Sequence, residues 1–269
     1  MIKGWTATAL NTAPDSQNQI HGDEIAQQYG FKGGLVPGVT ISAYLIQPAI
    51  EAWGMDWLQR GKAHVRVGSP LYDGEAFTVD VTESSDAAYA AELVRPDGTV
   101  SATAEVSLPN DAPTAPTMRG DEIADKHHVG DKASPERFAA LKEGGCLAYR
   151  YRWGASHRMN AYVQDDSRMP ALLRLDEGGY ANMSFLLGVS NWIFASNARM
   201  NPWVHLETTS QNFRPVPRDT VIVAEMSVTD FYNKKGHEFA DVEVNLFDEA
   251  NHEAVCQIQL RAIYRLRGL

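Results

Sequence analysis

One run of the chain is apolar on almost every face of a helix: Val39-Thr40-Ile41-Ser42-Ala43-Tyr44-Leu45-Ile46-Gln47-Pro48-Ala49-Ile50-Glu51-Ala52-Trp53. A helix of this pattern is buried on most sides rather than lying on a surface. Pro48 lies inside the run and predicts a kink. The run follows a glycine-rich sequence, residues 30–38, which ends in Pro37-Gly38. A long helix of this kind needs a sheet that covers most of its circumference.

The residues after this helix supply such a sheet. Four short runs have the composition and spacing of strands, and the turn signals Tyr72-Asp73-Gly74 and Pro96-Asp97-Gly98 lie between them. The runs are Ala63–Val67, Glu75–Thr82, Tyr89–Arg95 and Val100–Leu108. The pattern predicts an antiparallel sheet that curls around the helix.

The same order returns in the second half of the chain. A proline-rich segment, residues 108–117, reads as a linker. Ser134-Pro135-Glu136 then begins a short helix that Gly144-Gly145 ends. A second apolar helix, Tyr180–Ala195, precedes four more strands: Val204–Phe213, Val221–Val228, Glu238–Phe247 and Ala254–Tyr264. The repeat predicts an α+β protein with one unit at residues 1–108, a linker and short helix at 109–145, and a second unit at 146–269.

Composition excludes several classes of partner. The 269 residues include 24 Lys and Arg against 34 Asp and Glu, and the net charge of −10 without a basic block argues against nucleic acid. An anionic small molecule would need a local basic pocket. We expect a soluble, cytoplasmic protein, because no segment has the length of a membrane span or the pattern of a signal peptide. Cys146 and Cys256 have no metal-ligand spacing, so we predict reduced thiols and no metal site.

A polar motif, Asn18-Gln19-Ile20-His21-Gly22-Asp23, lies just before the glycine-rich sequence. It brings a titratable imidazole close to the start of the buried helix, where unpaired backbone N–H groups favour negative charge. This is the layout of a reaction centre. Asp23 precedes a short helical segment and is predicted to be its N-cap.

The motif Asn-x-Ile-His-x-Asp at 18–23, with Gly30-Phe31 and Pro37-Gly38, resembles the MaoC-like and (R)-specific enoyl-CoA hydratase branch of the hotdog superfamily. The second half, with Pro202-Trp203-Val204-His205 and Lys235-Gly236-His237-Glu238-Phe239, looks like the second hotdog of double-hotdog acyl-CoA thioesterases. The resemblance implies a tandem hotdog fold, each unit an antiparallel sheet wrapped around a long central helix. It also implies an acyl thioester substrate carried on coenzyme A or acyl carrier protein, no cofactor, and an acyl tunnel between the two hotdogs.

The resemblance also assigns roles to residues. His21 would be a general base for water, and Asn18 would orient the water or the thioester oxygen, or else close a turn. The N–H groups of Gly38 and Val39 would hold an oxyanion. Hydratases of this kind have an aspartate five residues before the histidine, and here that position is Ser16. Asp15, one residue further upstream, is the alternative carboxylate.

Other charged residues have weaker assignments. Arg60, Lys62 and Arg66 are candidates for the coenzyme A phosphates, or are a solvated surface cluster. Asp176 and Glu177 either face the same cleft or cap the second helix. His205 and His237 are predicted to be packing residues on strands.

Three hypotheses follow. The first is hydrolysis of acyl thioesters with His21 as base, and the second is hydration of an enoyl thioester, with Asp15 as the second group. The third is a binding module without catalysis. Because only the first half carries the motif, we expect one active site per chain, and a homodimer of such pseudo-dimers is compatible with that number.

Overall fold

The computed structural model describes residues 2–268, and in this part of the chain ten strands form one antiparallel sheet. The strands are β1 (Trp5–Thr8), β2 (Lys62–Val67), β3 (Ala76–Ser84), β4 (Ala88–Val94), β5 (Val100–Ser107), β6 (Tyr149–Arg152), β7 (Val204–Asn212), β8 (Val221–Lys234), β9 (His237–Asp248) and β10 (Ala254–Arg265). The α-helices are α1 (Asp23–Gln28), α2 (Gly38–Arg60), α3 (Pro135–Gly144) and α4 (Met183–Asn197).

The order of strands is β1-β3-β4-β5-β2-β7-β10-β9-β8-β6. Each half contributes a central helix followed by four strands, as the repeat predicts. The halves join where the first strand after each helix meets the other, with residues 62–66 of β2 paired antiparallel to residues 207–211 of β7. This pairing makes one continuous sheet with approximate twofold symmetry, and a single buried apolar cluster spans both halves.

The first central helix runs through Pro48 without a break. The helix is interrupted instead at Gly54, whose φ of 54° lies in the left-handed region that favours glycine. The break in helical geometry therefore lies at Gly54 and not at Pro48, where the kink is predicted. Pro48 has no N–H for the carbonyl of Tyr44, but the indole of Trp5 donates to that carbonyl at 3.0 Å. The bond lost to proline is replaced from β1.

The second central helix begins at Met183, three residues later than the predicted Tyr180, because Asn182 caps it. Its side chain accepts a hydrogen bond from the N–H of Phe185 at 3.0 Å. The N-terminal ends of the two helices contact each other through the hydroxyls of Thr40 and Ser184, 2.8 Å apart. None of the described helices is long and apolar enough to cross a membrane.

The segment before α3 contains isolated bridges but no regular strand or helix. Part of it is fixed to the second half by Glu225, a buried residue of β8 that accepts hydrogen bonds from three consecutive backbone N–H groups, residues 119–121. As predicted, α3 begins with Ser134 as N-cap, which accepts from the N–H of Arg137 at 3.1 Å. The unit boundaries at residues 108 and 146 stay predictions.

Candidate active site

His21 lies in the connection between β1 and α1, in a single 3-10 turn. Its Nδ1 is 2.7 Å from the carbonyl oxygen of Leu35, which can only accept, so Nδ1 carries the proton and Nε2 carries the lone pair. Burial lowers the pKa of His21 below its ordinary value of 6.5, and the Leu35 carbonyl opposes this by raising it. At neutral pH the side chain is therefore a neutral imidazole with an unprotonated Nε2.

Glycine lets the loop before α2 pack closely on this turn. A Cβ on Gly34 would lie 2.1 Å from the carbonyl oxygen of His21. The N–H of Gly34 donates to the carboxylate of Asp23 at 2.7 Å, and the N–H of Leu35 donates to the carbonyl of Ile20 at 3.1 Å. Asp23 is the first residue of α1 rather than its N-cap, so that prediction is wrong. Its carboxylate holds the glycine loop against the motif instead.

Asn18 joins the motif to the second half of the chain. Its Nδ2 donates to the carbonyl of Trp203 at 2.9 Å, and its Oδ1 accepts from the N–H of the same residue at 3.2 Å. The distance from Nδ2 to His21 Nε2 is 3.5 Å. Beside it, the N–H of Gln19 donates to Asn201 at 2.9 Å. Because both ends of its amide are hydrogen-bonded to Trp203, Asn18 holds the His21 turn against the second half of the chain.

Helix α2 begins at Gly38 with an open N-terminus. Pro37 precedes it and no side chain caps it. The N–H groups of Gly38 and Val39 have no acceptor among residues 2–268. A Cβ on Gly38 would lie 2.8 Å from Cδ2 of His205, which requires glycine here. The N-terminus of α4, by contrast, is capped by the side chain of Asn182, which accepts from the N–H of Phe185.

Two cavities meet at His21. The inner one has a volume of about 180 Å³ and a mostly apolar lining that includes Phe31, Ile41 and Val67. The outer one, so called because its lining is more polar, has a volume of about 770 Å³, and both cavities are open to the surface. The residues that line both cavities are Asn18, His21, Asn191 and Trp203. His21 therefore lies on the boundary between an apolar cavity and a polar opening.

The outer cavity is locally basic although the chain is acidic. Its lining includes the exposed residues Lys132, Arg158 and Arg199, and none of them pairs with a carboxylate among the described residues. Asp15 is the acidic residue of the described lining. The three cations come from separate segments of the chain, so no local sequence pattern indicated them.

His205, predicted to be a packing residue on a strand, lies on β7 and also lines the inner cavity. It is buried, its Nδ1 is 3.0 Å from Oδ1 of Asn191, and its Nε2 contacts the hydroxyl of Thr208. Burial, with a smaller contribution from the neighbouring His21, lowers the pKa of His205 to about 3. It is therefore a neutral imidazole in the wall of the site. His237 lies elsewhere and accepts from the N–H of Arg267 at 3.1 Å.

The predicted carboxylate does not contact the base. Asp15 is exposed and lines the outer cavity, but the ring nitrogens of His21 contact Leu35 and Asn18. Ser16, at the position of the hydratase aspartate, donates to the carbonyl of Asn18 at 2.9 Å. The Ser16 hydroxyl therefore stabilises the turn that carries Asn18 and His21. Asp176 and Glu177 pair with Arg174 and do not line either cavity at His21.

Arg60, Lys62 and Arg66 also lie away from these cavities. Lys62 and Arg66 alternate with the buried residues of β2 and so face outward from the sheet. Arg66 donates to Glu207 at 3.0 Å, and Arg60 donates to the carbonyl of Asn110 at 3.1 Å. The structure does not bring these three cations to His21, and their assignment to coenzyme A stays a prediction.

No protein-family model and no curated protein sequence matches the chain. Solved structures match it over most of its length. A conserved hypothetical protein from Mycobacterium tuberculosis, described as having a double hotdog fold, has a TM-score of 0.58 at 9% identity, over 97% of this chain and 95% of its own. The dehydratase domain of PpsC from the same organism, solved with C12:1-CoA, has a TM-score of 0.52 at 13% identity, over 97% and 92%.

A third match is a protein from Lactobacillus plantarum, described provisionally as an oleoyl thioesterase. It has a TM-score of 0.51 at 8% identity, over 98% of this chain and 96% of its own. At identities this low, the structural matches establish the fold alone. The predicted tandem hotdog of the α+β class is confirmed. The chemistry has to be argued from the residues of this chain.

Proposed function

We propose that the chain hydrolyses acyl thioesters of coenzyme A, with His21 as the general base. The observation that carries this proposal is the place of His21, whose Nε2 carries a lone pair, on the boundary between an apolar cavity and a cationic opening. An acyl group fits the first environment and a phosphorylated carrier fits the second. The free N–H groups at the start of α2 lie at the same boundary.

The residues support a complete reaction. The acyl group occupies the inner cavity, and the thioester carbonyl oxygen accepts from the N–H groups of Gly38 and Val39. His21 Nε2 takes a proton from a water molecule whose oxygen attacks the carbonyl carbon, and the helix N–H groups stabilise the oxyanion. The C–S bond then breaks and the imidazolium returns the proton to the thiolate. The products are a carboxylic acid and the free thiol of the carrier.

The test is an assay of the purified protein with acyl-CoA substrates, including crotonyl-CoA, in which free thiol is followed with a colorimetric reagent and enoyl absorbance is followed in parallel. The protein's own thiols interfere little, because burial raises the pKa of Cys146 to about 11 and that of Cys256 to about 12. Thiol release supports the proposal. Silence in both channels, with an acyl-CoA bound unchanged, would leave a binding module instead.

Hydration of an enoyl thioester is the second candidate, because Asp15 lines the outer cavity together with His21. It requires Asp15 to share a water molecule with His21, although the two make no hydrogen bond. Loss of enoyl absorbance without thiol release, abolished by Asp15→Asn, would replace hydrolysis by this reaction.

The size of the inner cavity predicts a preference for short acyl chains. A dry cavity of about 150 Å³ binds benzene, so about 180 Å³ holds roughly six to eight carbon atoms. Each buried methylene contributes about 0.8 kcal/mol, so kcat/KM is expected to rise about fourfold per methylene until the cavity is full. We expect a maximum between hexanoyl-CoA and octanoyl-CoA and a fall by dodecanoyl-CoA. Equal values for hexanoyl-CoA and dodecanoyl-CoA would contradict this limit.

The basic outer cavity predicts how the carrier is recognised. Arg158→Ala and Arg199→Ala are each expected to raise KM for an acyl-CoA about two- to fivefold, as loss of an exposed ionic contact does, with kcat unchanged. The effect should shrink with added salt and should be absent for an acyl thioester of N-acetylcysteamine, which has no phosphate. Lys62→Ala removes the same charge from the outer face of the sheet and is the control. A larger rise of KM in Lys62→Ala would mean that the coenzyme A phosphates bind at the outer face of the sheet and not in the outer cavity.

A further inference from the structure

We infer that Asn191 is a catalytic donor to the thioester carbonyl oxygen, and that His205 is the positioning residue that aims it. The inference rests on the proposed thioester hydrolysis and adds a residue from the second half of the chain to that site. Asn191 lies on α4, and it is one of the residues that line both the inner and the outer cavity.

The side-chain amides of Asn18 and Asn191 lie on the boundary between the cavities. They differ in whether the amide nitrogen is already hydrogen-bonded to the protein. Asn18 has both ends of its amide engaged by the backbone of Trp203. Asn191 has its Oδ1 at 3.0 Å from His205, whereas its Nδ2 makes no hydrogen bond to the described residues. This Nδ2 is also not sealed inside the protein, because the buried polar atoms without partners do not include it. Asn191 therefore presents an open donor to the cavities.

The contact with Asn191 sets which nitrogen of the His205 ring carries the proton. The Asn191 oxygen can only accept, so His205 Nδ1 carries the proton, and Nε2 then accepts from the hydroxyl of Thr208. The ring also packs against Gly38, where a Cβ would lie 2.8 Å from Cδ2. The imidazole thus contacts both the start of α2 and the amide of α4. It sets the position of the Asn191 donor relative to the free helix N–H groups.

A second, uncharged donor suits the proposed reaction. Negative charge develops on the carbonyl oxygen as water adds, and a donor already fixed in place stabilises it without reorganisation. The amide transfers no proton and needs no co-reactant. The site would then combine N–H groups of the first hotdog with an amide of the second, which explains why it needs the joined halves.

Variants of Asn191 test the donor. Asn191→Ala is expected to lower kcat for thiol release about 100-fold, the typical cost of one oxyanion donor, with KM changed little. Asn191→Asp removes the donor and adds negative charge, so its kcat should be no higher than that of Asn191→Ala. Activity of Asn191→Asp near the wild type would indicate that Asn191 acts as an acceptor for water, which overturns the inference.

Variants of His205 test the positioning role. His205→Asn keeps an N–H close to the place of Nδ1 and is expected to retain most of kcat, whereas His205→Leu should lose nearly as much as Asn191→Ala. When His205→Leu is added to Asn191→Ala, kcat should fall almost no further, because the effect of His205 acts through Asn191. An equal loss in both backgrounds overturns the positioning role. Circular dichroism establishes folding, and if His205→Leu is unfolded, His205→Ala, which also removes the Nδ1–H group, makes the same comparison in the two backgrounds.

Failure of this inference differs from failure of the proposed function. An active wild type with an equally active Asn191→Ala variant overturns the donor role alone. A wild type that releases no thiol overturns both.

Discussion

Replacing His21 with asparagine is expected to lower kcat for thiol release by about 10²–10⁴-fold, the usual contribution of a positioned general base. Asparagine retains an N–H near the place of Nδ1 that can donate to the Leu35 carbonyl, but it has no basic nitrogen at the place of Nε2. The variant therefore removes the base while keeping the bond that holds the turn. Steady-state kinetics with hexanoyl-CoA measure the effect.

His252→Asn is the matched control. His252 is exposed, and its φ of 60° lies in the left-handed region, which asparagine tolerates. It should leave kcat unchanged. Wild-type activity in His21→Asn would remove His21 from the mechanism.

The dependence on pH gives His21 a second signature. The base must be deprotonated to act, and burial lowers its pKa below 6.5, so kcat/KM should rise with pH up to a pKa below 6.5 and stay flat through neutrality. His205, with a pKa of about 3, does not titrate in this range. The residual activity of His21→Asn should not show this rise of kcat/KM with pH. A rise that survives in the variant would be due to the titration of another group.

The parts of the fold that sequence could predict depend on local signals. Apolar periodicity located both central helices, and alternating residues with turn signals located the eight strands that follow them. The glycine-rich sequence before α2 indicated a close approach of backbone, and Gly34 and Gly38 both meet neighbours too near for a Cβ. His21 and the open start of α2 were predicted together because they lie close in sequence.

The parts that could not be predicted depend on which segments meet in space. Asn191 and His205 belong to the second half and join the site only because the β2–β7 pairing brings the halves together. Lys132, Arg158 and Arg199 are far apart along the chain and share one cavity. The outward direction of Lys62 and Arg66, by contrast, follows from a local signal, the alternation of buried and exposed residues along β2.

Replacing Glu225 with alanine is expected to lower the free energy of unfolding by about 3–5 kcal/mol, the typical cost of removing one member of a buried charged network. The carboxylate is fully buried and accepts from the N–H groups of Arg119 at 2.8 Å, Gly120 at 2.6 Å and Asp121 at 3.0 Å. Without it, three backbone donors lose their acceptor at once, and each unsatisfied donor costs about 1–3 kcal/mol. Chemical denaturation followed by circular dichroism measures the change.

Glu249→Gln provides the comparison, because Glu249 pairs with Arg150 at the surface and its loss should cost less than about 1 kcal/mol. Glu225 does not line either cavity at His21, so folded Glu225→Ala should keep the kcat of the wild type. Lys132 should also keep its place in the outer cavity, since its segment is fixed separately by the N–H of Ala133, which donates to the carbonyl of Arg199 at 2.8 Å. A loss of stability as small as that of Glu249→Gln would mean that water replaces the carboxylate, and that the segment before α3 is not held by Glu225.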